Sequence, residues 1–251
     1  MKKTLLRVLA AGLLIFVLGV FVAMFFIDSI VKKSVETIGP KVAKVEVKLE
    51  GASVSMLSGR GGLKGLVVGN PVGFKTPNAV KVGEVTVVVD TLTLMQEKIV
   101  VRSVNVVAPE ITFEGGLKEN NLNKILQNVQ AFTATDQASP KAAGSKKIQI
   151  DEFVVSDGKV NLNVTLLGGK SVTVSLPRIR LTDLGKGGDG ITPGELSEKI
   201  VKAVLDETMG VVGEALGKLG KEVTNAAKDL GDGAKGQVDK LTKGIGGLFK
   251  K

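Results

Sequence analysis

The stretch GKVNLNVTLLGGKSVTVSL, residues Gly158 to Leu176, alternates aliphatic and polar side chains on both sides of a Gly-Gly pair. Alternation with a period of two predicts two β-strands that form a hairpin with one apolar face. A three-residue loop, Gly168 to Lys170, pairs Leu166 with Val172 and keeps all the apolar residues on one face, whereas a two-residue loop separates them. The sequence therefore favours the three-residue loop, and it leaves open what covers the apolar face.

The composition excludes most kinds of enzyme. The chain has 251 residues and a net charge of +9, with no Cys, His, Trp or Tyr. Without Cys and His it lacks disulfides, thiolate nucleophiles, zinc-thiolate sites and the usual general base at neutral pH. We find no cluster of carboxylates that would replace them, so we predict a protein with no catalytic residues, metal or cofactor. Scattered lysines and the lack of an aromatic platform also argue against nucleic-acid binding.

The N-terminal segment predicts a membrane anchor. Val8 to Ile27 is a run of twenty uncharged residues, with basic residues before it and Asp28 after it. That length suits a helix crossing a bilayer, and the flanking charges place the N-terminus in the cytoplasm. A cleaved signal peptide would have a shorter apolar region and a small-residue cleavage site. We therefore predict that residues 1–30 form a single-pass anchor in an inner membrane and that the body is periplasmic.

Two β-rich blocks follow the anchor. Residues 41–133 alternate in runs such as KVEVKLEG, are interrupted by Pro109, and end in a short helix. The apolar face of that helix is formed by Leu122, Ile125, Leu126 and Val129. Residues 134–147 have the composition of a linker, and residues 148–185 form the second block, which contains the opening hairpin.

The period then changes to that of a helix over residues 192–230. Thr192 and Glu195 form a capping box around Pro193 at the first helical position. A glycine stripe, Gly210, Gly213, Gly217 and Gly220, predicts either close packing against another helix or a weak helix. Residues 234–251 form a basic tail that is either amphipathic or disordered. If the tail lies on an anionic membrane, the residues that contact it are Lys240, Leu241, Lys243, Ile245, Leu248 and Phe249.

Several features of the first block occur together in AsmA-like proteins of the bacterial envelope. They are Asn70-Pro71 with Gly73-Phe74, the strands Val80 to Leu94 and Ile99 to Val107, the segment Pro109 to Glu114, and a helix opened at Asn121. With the anchor and the second block, these features extend over residues 8–205. The chain therefore resembles a short member of the AsmA-like family.

The resemblance implies an α+β, mainly β fold. Its centre is an antiparallel, twisted, gutter-like sheet with an apolar inner face, between an N-terminal transmembrane helix and C-terminal helices. Large members look like bridges that carry lipids between bacterial membranes. The predicted strands of this chain would form a groove of roughly 40–50 Å. The resemblance therefore implies the AsmA-like structural element and does not establish lipid transport between two membranes.

Two functions remain open. In the first, the chain binds or passes phospholipid in envelope maintenance, and the apolar sheet face lines a groove for acyl chains. The groove candidates are Val45, Val47, Leu49, Val160, Leu162, Val164, Leu166, Val172, Val174 and Leu176. Arg178 and Arg180 would then meet lipid phosphates at the mouth of the groove, although the sequence favours a solvated strand face as the explanation for each of them. In the second, the C-terminal helix covers that face, and the chain is a non-enzymatic structural protein whose helix contacts an envelope partner.

Overall fold

In a computed structural model, the protein is described at residues 12, 26–137, 146–163 and 171–229. The architecture is α+β and mainly β, as the sequence predicted, with a twisted sheet and three helices. The elements are α1 (26–43), β1 (Val47–Ser55), β2 (Arg60–Gly69), β3 (Asn78–Val89), a 3-10 turn (Thr91–Thr93), β4 (Lys98–Val107), β5 (Glu110–Glu114), α2 (Asn121–Gln137), β6 (Lys147–Ser156), β7 (Lys159–Asn163), β8 (Ser171–Ser175), β9 (Ile179–Leu184) and α3 (Pro193–Asp229).

The sheet is mixed, so the prediction of an antiparallel sheet was wrong in part. In the described residues nine strands pair, and most neighbours are antiparallel. However, β6 runs parallel to β4, and β7 runs parallel to β5. Parallel neighbours need a long crossover connection, and here that connection contains α2. The two predicted β-blocks therefore form one sheet, and α2 extends to Gln137, into the segment predicted as a linker.

Three pairs of strands lie end to end, and each pair is interrupted once at the same height in the sheet. We call each position across the sheet a line, whether one strand or an end-to-end pair occupies it. β4 and β5 lie end to end beside β3, β6 and β7 lie beside them, and β9 and β8 lie beside those. The breaks fall at Ala108 (φ 49°), at Asp157 (φ 57°) and at Pro177. Hydrogen bonds cross between the lines at this level, including one of 2.8 Å from the Ala108 N–H to the Ser156 carbonyl. The sequence predicted the interruption at Pro109, next to the first of these breaks.

We call this level the crease, and it continues across β1 to β3. Pairing places Gly65 (φ 61°) opposite Gly83 between two regular pairs of β2 and β3. Apolar rows run across all six lines on either side of the crease. One row is Val47, Val68, Val80, Ile111, Val160 and Val174; the other is Ala52, Leu63, Val85, Val106, Val155 and Ile179.

In every line the two row members are an odd number of residues apart, for example Val155 and Val160. An unbroken strand would point two such residues to opposite faces. Residues in the left-handed conformation at the crease, Gly65, Ala108 and Asp157, shift the phase by one in their lines. In the lines of β4 to β9, both halves therefore contribute to the core beneath the helices, with Val106, Val155 and Ile179 on one side of the crease and Ile111, Val160 and Val174 on the other.

The hairpin register differs from the prediction. Leu162 pairs with Val172 and Val160 pairs with Val174, so the predicted pairing of Leu166 with Val172 was wrong. Even-numbered residues still pair with even-numbered residues, so the described apolar side chains of the hairpin lie on one side of the sheet, as predicted. The same register continues across the crease, where Val155 pairs with Ile179. The long pairing of β6 with β9 therefore fixes the register, and the turn does not.

Helices α2 and α3 cover the apolar face. Phe113, Val160 and Leu162 are completely buried beneath them, together with Val212 and Leu216 of α3. The predicted face of α2 is confirmed, because Leu122, Ile125 and Val129 are buried and Leu126 packs beside them. The capping box is also confirmed: the Thr192 N–H donates to the Glu195 carboxylate at 2.7 Å, and the Glu195 N–H donates to Thr192 Oγ1 at 3.1 Å.

Helix α1 lies along the free edge of β1. The Val54 N–H donates to Asp28 Oδ1 at 2.7 Å, and the Leu49 N–H donates to Glu36 Oε1 at 3.2 Å. Lys32 Nζ donates to the Glu50 carbonyl at 3.1 Å. The three α1 side chains are spaced four residues apart, on one side of the helix. They satisfy backbone groups that an edge strand otherwise leaves open to pairing with another chain.

Both predicted membrane contacts fall largely outside the described residues. The anchor, residues 1–30, is described only at residue 12 and from residue 26, and the basic tail, residues 234–251, is not described. In the described part of the chain, no helix has the length and apolarity needed to cross a membrane.

Three glycines of the stripe in α3 do not pack closely against another described element. A Cβ added at Gly210, Gly213 or Gly217 would meet no atom within 4 Å. Gly39 of α1 is different, because a Cβ there would lie 2.9 Å from the Cβ of Val47. Close packing of a helical glycine therefore occurs in α1, where the sequence did not predict it.

We expect Gly213→Ala to raise the free energy of unfolding by about 0.5–1 kcal/mol, because Ala is the better helix former and has room here. Gly39→Ala is the matched control, and we expect it to lower that free energy by about 1–3 kcal/mol because α1 must move off Val47. Urea unfolding of the full chain in mild detergent measures both. A loss of stability in Gly213→Ala would show that another surface packs against this stripe.

Candidate functional site

An apolar cavity of about 540 Å³ lies between the sheet and the three helices. Its floor is formed by the first apolar row, at Val47, Val68, Val80 and Ile111, together with Leu66. Its walls are formed by Ser34, Val35, Ile38, Gly39, Val42 and Ala43 of α1, by Leu122, Ile125 and Val129 of α2, and by Ser197, Ile200, Val201, Val204 and Leu205 of α3. The cavity reaches the surface at Ile38, which is 55% exposed.

The lining determines what chemistry the cavity supports. Ser34 and Ser197 are its only polar residues among the described ones, and no charged residue lines it. No group of His, Cys, Asp and Glu in the described residues could hold a metal ion. The volume falls in the range of small-molecule sites. A cavity of this kind binds hydrocarbon and excludes ions.

Contacts at both ends of α1 fix the helix over one side of the cavity floor. Its side chains are bound to the edge of β1, and Gly39 touches Val47 at the near side of the cavity. At its C-terminal end, the Ala43 carbonyl accepts a hydrogen bond of 2.8 Å from Asn128 of α2. Lys44 then ends the helix in a left-handed conformation (φ 56°). Fixed at both ends, α1 forms one wall of the cavity.

A polar network positions α2 beside the cavity. Asn121, which is completely buried, donates from its side-chain amide to Asn70 Oδ1 and to the Thr112 carbonyl, both at 2.7 Å. Its Oδ1 accepts the Glu114 N–H at 3.0 Å. The next residue, Leu122, lines the cavity. Two motifs on which the family resemblance was based, Asn70-Pro71 and the helix opened at Asn121, therefore join each other and have a structural role here.

The carboxylate of Glu114 completes this network. It accepts the N–H groups of Lys75 and Thr76 at 2.6 and 2.7 Å and the Thr76 hydroxyl at 2.5 Å. Burial raises the pKa of Glu114, but the hydrogen bonds from Thr76 and Lys75 outweigh burial and leave this pKa below its ordinary value of 4.5. The ionised carboxylate thus fixes the loop between β2 and β3 to the end of β5.

The groove candidates lie mostly in the core and not in the cavity. Val47 is the one that lines the cavity. Val45, Leu49, Val160, Leu162 and Leu176 are buried in the protein, and Val172 and Val174 pack against the core. Val164 and Leu166 lie outside the described residues. Arg180 pairs with Glu152 at 2.6 Å, while Arg178 is exposed on the same sheet.

The sequence reasoning missed α1 as the wall of the site. The segment between the anchor and the first strand was left unassigned, because it mixes charged and apolar residues. Two signals were present in it. Val35, Ile38 and Val42 recur at helical spacing, and so do Asp28, Lys32 and Glu36. The first set lines the cavity, and the second binds β1.

Comparison of the chain with protein-family models and with curated proteins finds no match. The resemblance to AsmA-like proteins therefore remains a prediction from the quoted residues.

We expect Glu114→Gln to lower the free energy of unfolding by about 1.5–3 kcal/mol near neutral pH, because hydrogen bonds to a charged acceptor are lost. A carboxyl with a lowered folded pKa contributes stability above its unfolded pKa, and this stability is lost as the pH falls through the folded value. The difference between wild type and variant should therefore narrow as the pH is lowered below 4.5.

Urea unfolding of the full chain across this acidic range measures the difference. Glu84→Gln on the exposed face of β3 is the matched control, and its effect should be small at every pH. If the free energy of unfolding of the wild type exceeded that of Glu114→Gln by the same amount at every pH, the role of the ionised carboxylate would be contradicted.

Proposed function

We propose that this chain is a membrane-anchored, periplasmic, AsmA-like protein that holds an acyl-chain lipid in the apolar cavity and serves envelope maintenance. The observation that carries the proposal is the cavity itself, with its hydrocarbon lining of about 540 Å³. Its outer wall is α1, which follows directly from the predicted membrane span. A lipid in this cavity would lie beside the helix that leads to the membrane.

Packing energetics support an occupant. The cavity is partly open, so its apolar lining faces water unless an occupant covers it. An apolar cavity is too poor in hydrogen-bond partners to hold ordered water. Burial of hydrocarbon gives about 25 cal/mol per Å², so a lipid tail that buries a few hundred Å² gains several kcal/mol. Binding of this kind needs no catalytic residue.

A second candidate function is that of a structural or interaction protein of the envelope. The docking of α3 favours it, because α3 covers the strands that carry most of the groove candidates. In that case the cavity is a packing defect and contains no lipid. The two candidates make opposite predictions for the contents of the purified protein.

The test is lipid extraction and native mass spectrometry on the full chain purified in mild detergent. The full chain is needed because α1 forms a wall of the cavity. We expect one phospholipid to remain bound to each wild-type chain. Val201→Trp places an indole in the cavity and should abolish this bound lipid, because Val201 lines it.

Lys199→Trp is the matched control, because it puts the same side chain on α3 at an exposed position and keeps the anchor. It should retain the lipid, which distinguishes cavity binding from lipid around the anchor. Unfolding midpoints of both variants show that each is folded. A wild-type chain without bound lipid, or equal lipid in both variants, would favour the structural role.

A further inference from the structure

One end of the molecule exposes large apolar side chains that do not pack in the core. They come from the start of α1, from the turn between β1 and β2, and from the turn between β3 and β4. We call them the apolar tip: Phe26, Ile30, Met56, Leu57, Leu92 and Met95. Leu57, Leu92 and Met95 are 90, 83 and 94% exposed. Single exposed aliphatic residues are common on protein surfaces, whereas a group drawn from three segments marks a contact surface.

Hydrogen bonds hold the three segments together. The Val54 N–H, just before the first turn, donates to Asp28 of α1 at 2.7 Å. The Val89 N–H, just before the second turn, donates to the Gly59 carbonyl at 2.7 Å. The two turns therefore lie side by side, and the start of α1 lies against the first of them.

The predicted membrane span ends at this same place. Asp28 is the first charged residue after the uncharged run that ends at Ile27, and Phe26 lies within that run. The Asp28–Val54 bond thus ties the chain to β1 immediately after it leaves the predicted span. The apolar tip cannot move far from the membrane surface while this bond is made.

We infer that the apolar tip inserts into the headgroup region of the bilayer that holds the anchor, so that the sheet meets the membrane with this end. The inference rests on the membrane anchor of the proposed function, and it is independent of the cavity. Aliphatic side chains at the tips of turns gain free energy at this depth, and nearby basic groups favour anionic lipid. Arg60 is exposed beside the first turn, and Lys146 donates from its ammonium to the Leu94 carbonyl in the second.

The test uses the absence of Cys from the chain. Leu57→Cys and Leu92→Cys are each labelled with the environment-sensitive fluorophore NBD in the full chain. The chain is reconstituted in vesicles of equimolar phosphatidylcholine and phosphatidylglycerol. Val72→Cys is the matched control, because Val72 is a fully exposed aliphatic residue in the turn at the other end of β2. That turn lies about 30 Å from the tip along the strand.

We expect NBD at positions 57 and 92 to emit at shorter wavelength than at position 72. We also expect doxyl-labelled phosphatidylcholine to quench NBD at positions 57 and 92 several-fold more strongly than NBD at position 72. Emission at positions 57 and 92 that matches position 72 would overturn the inference. A blue shift without quenching would also overturn it, because it would show that protein, such as a second copy of the chain, covers the tip.

A label at Val17→Cys, inside the predicted span, separates this inference from the anchor on which it rests. Quenching at position 17 with none at positions 57 and 92 would leave the anchor in place and refute insertion of the tip. No quenching at position 17 would refute the anchor and, with it, the insertion of the tip.

Discussion

The structure depends on a shift of β-periodicity that occurs at the same level in neighbouring lines of the sheet. If one line lacked its shift, its aliphatic side chains beyond the crease would point away from the helices. The shift is made with different residues in different lines: glycines in β2 and β3, Ala108 and Pro109 before β5, and Asp157 before β7. In the lines of β4 to β9 the breaks lie side by side because main-chain hydrogen bonds join each break to the next. The cavity floor and the buried core are two parts of the single apolar face that results.

Helix α1 joins the three functional features of the molecule. Its polar side covers the edge of β1, its apolar side forms a wall of the cavity, and its beginning belongs to the apolar tip. A displacement of this helix would therefore change the exposure of the β1 edge, the cavity volume and the position of the apolar tip together. This coupling gives a physical route by which attachment to a membrane could affect access to the cavity.

Local features of the fold were predictable from sequence, and features that depend on distant pairing were not. The capping box at Thr192 and the interruption at Pro109 depend on a few adjacent residues, and both are as predicted. The parallel pairing of β4 with β6 and the register of Leu162 with Val172 depend on strands beyond the turn. For the site, strand alternation identified buried residues correctly, but it could not show which of them face a cavity. That distinction is made by α1, whose mixed composition concealed its role.

The covering of the β1 edge has a consequence for how such a sheet can evolve. Asp28, Lys32 and Glu36 bind the backbone groups with which an added strand would have to pair. A sheet with one sealed edge can be lengthened only at the other, which here is the line of β8 and β9. Duplicated hairpins would therefore accumulate beyond the line of β8 and β9, on the side of the sheet away from α1. Such growth would leave α1, the apolar tip and the cavity unchanged at the β1 end of the sheet.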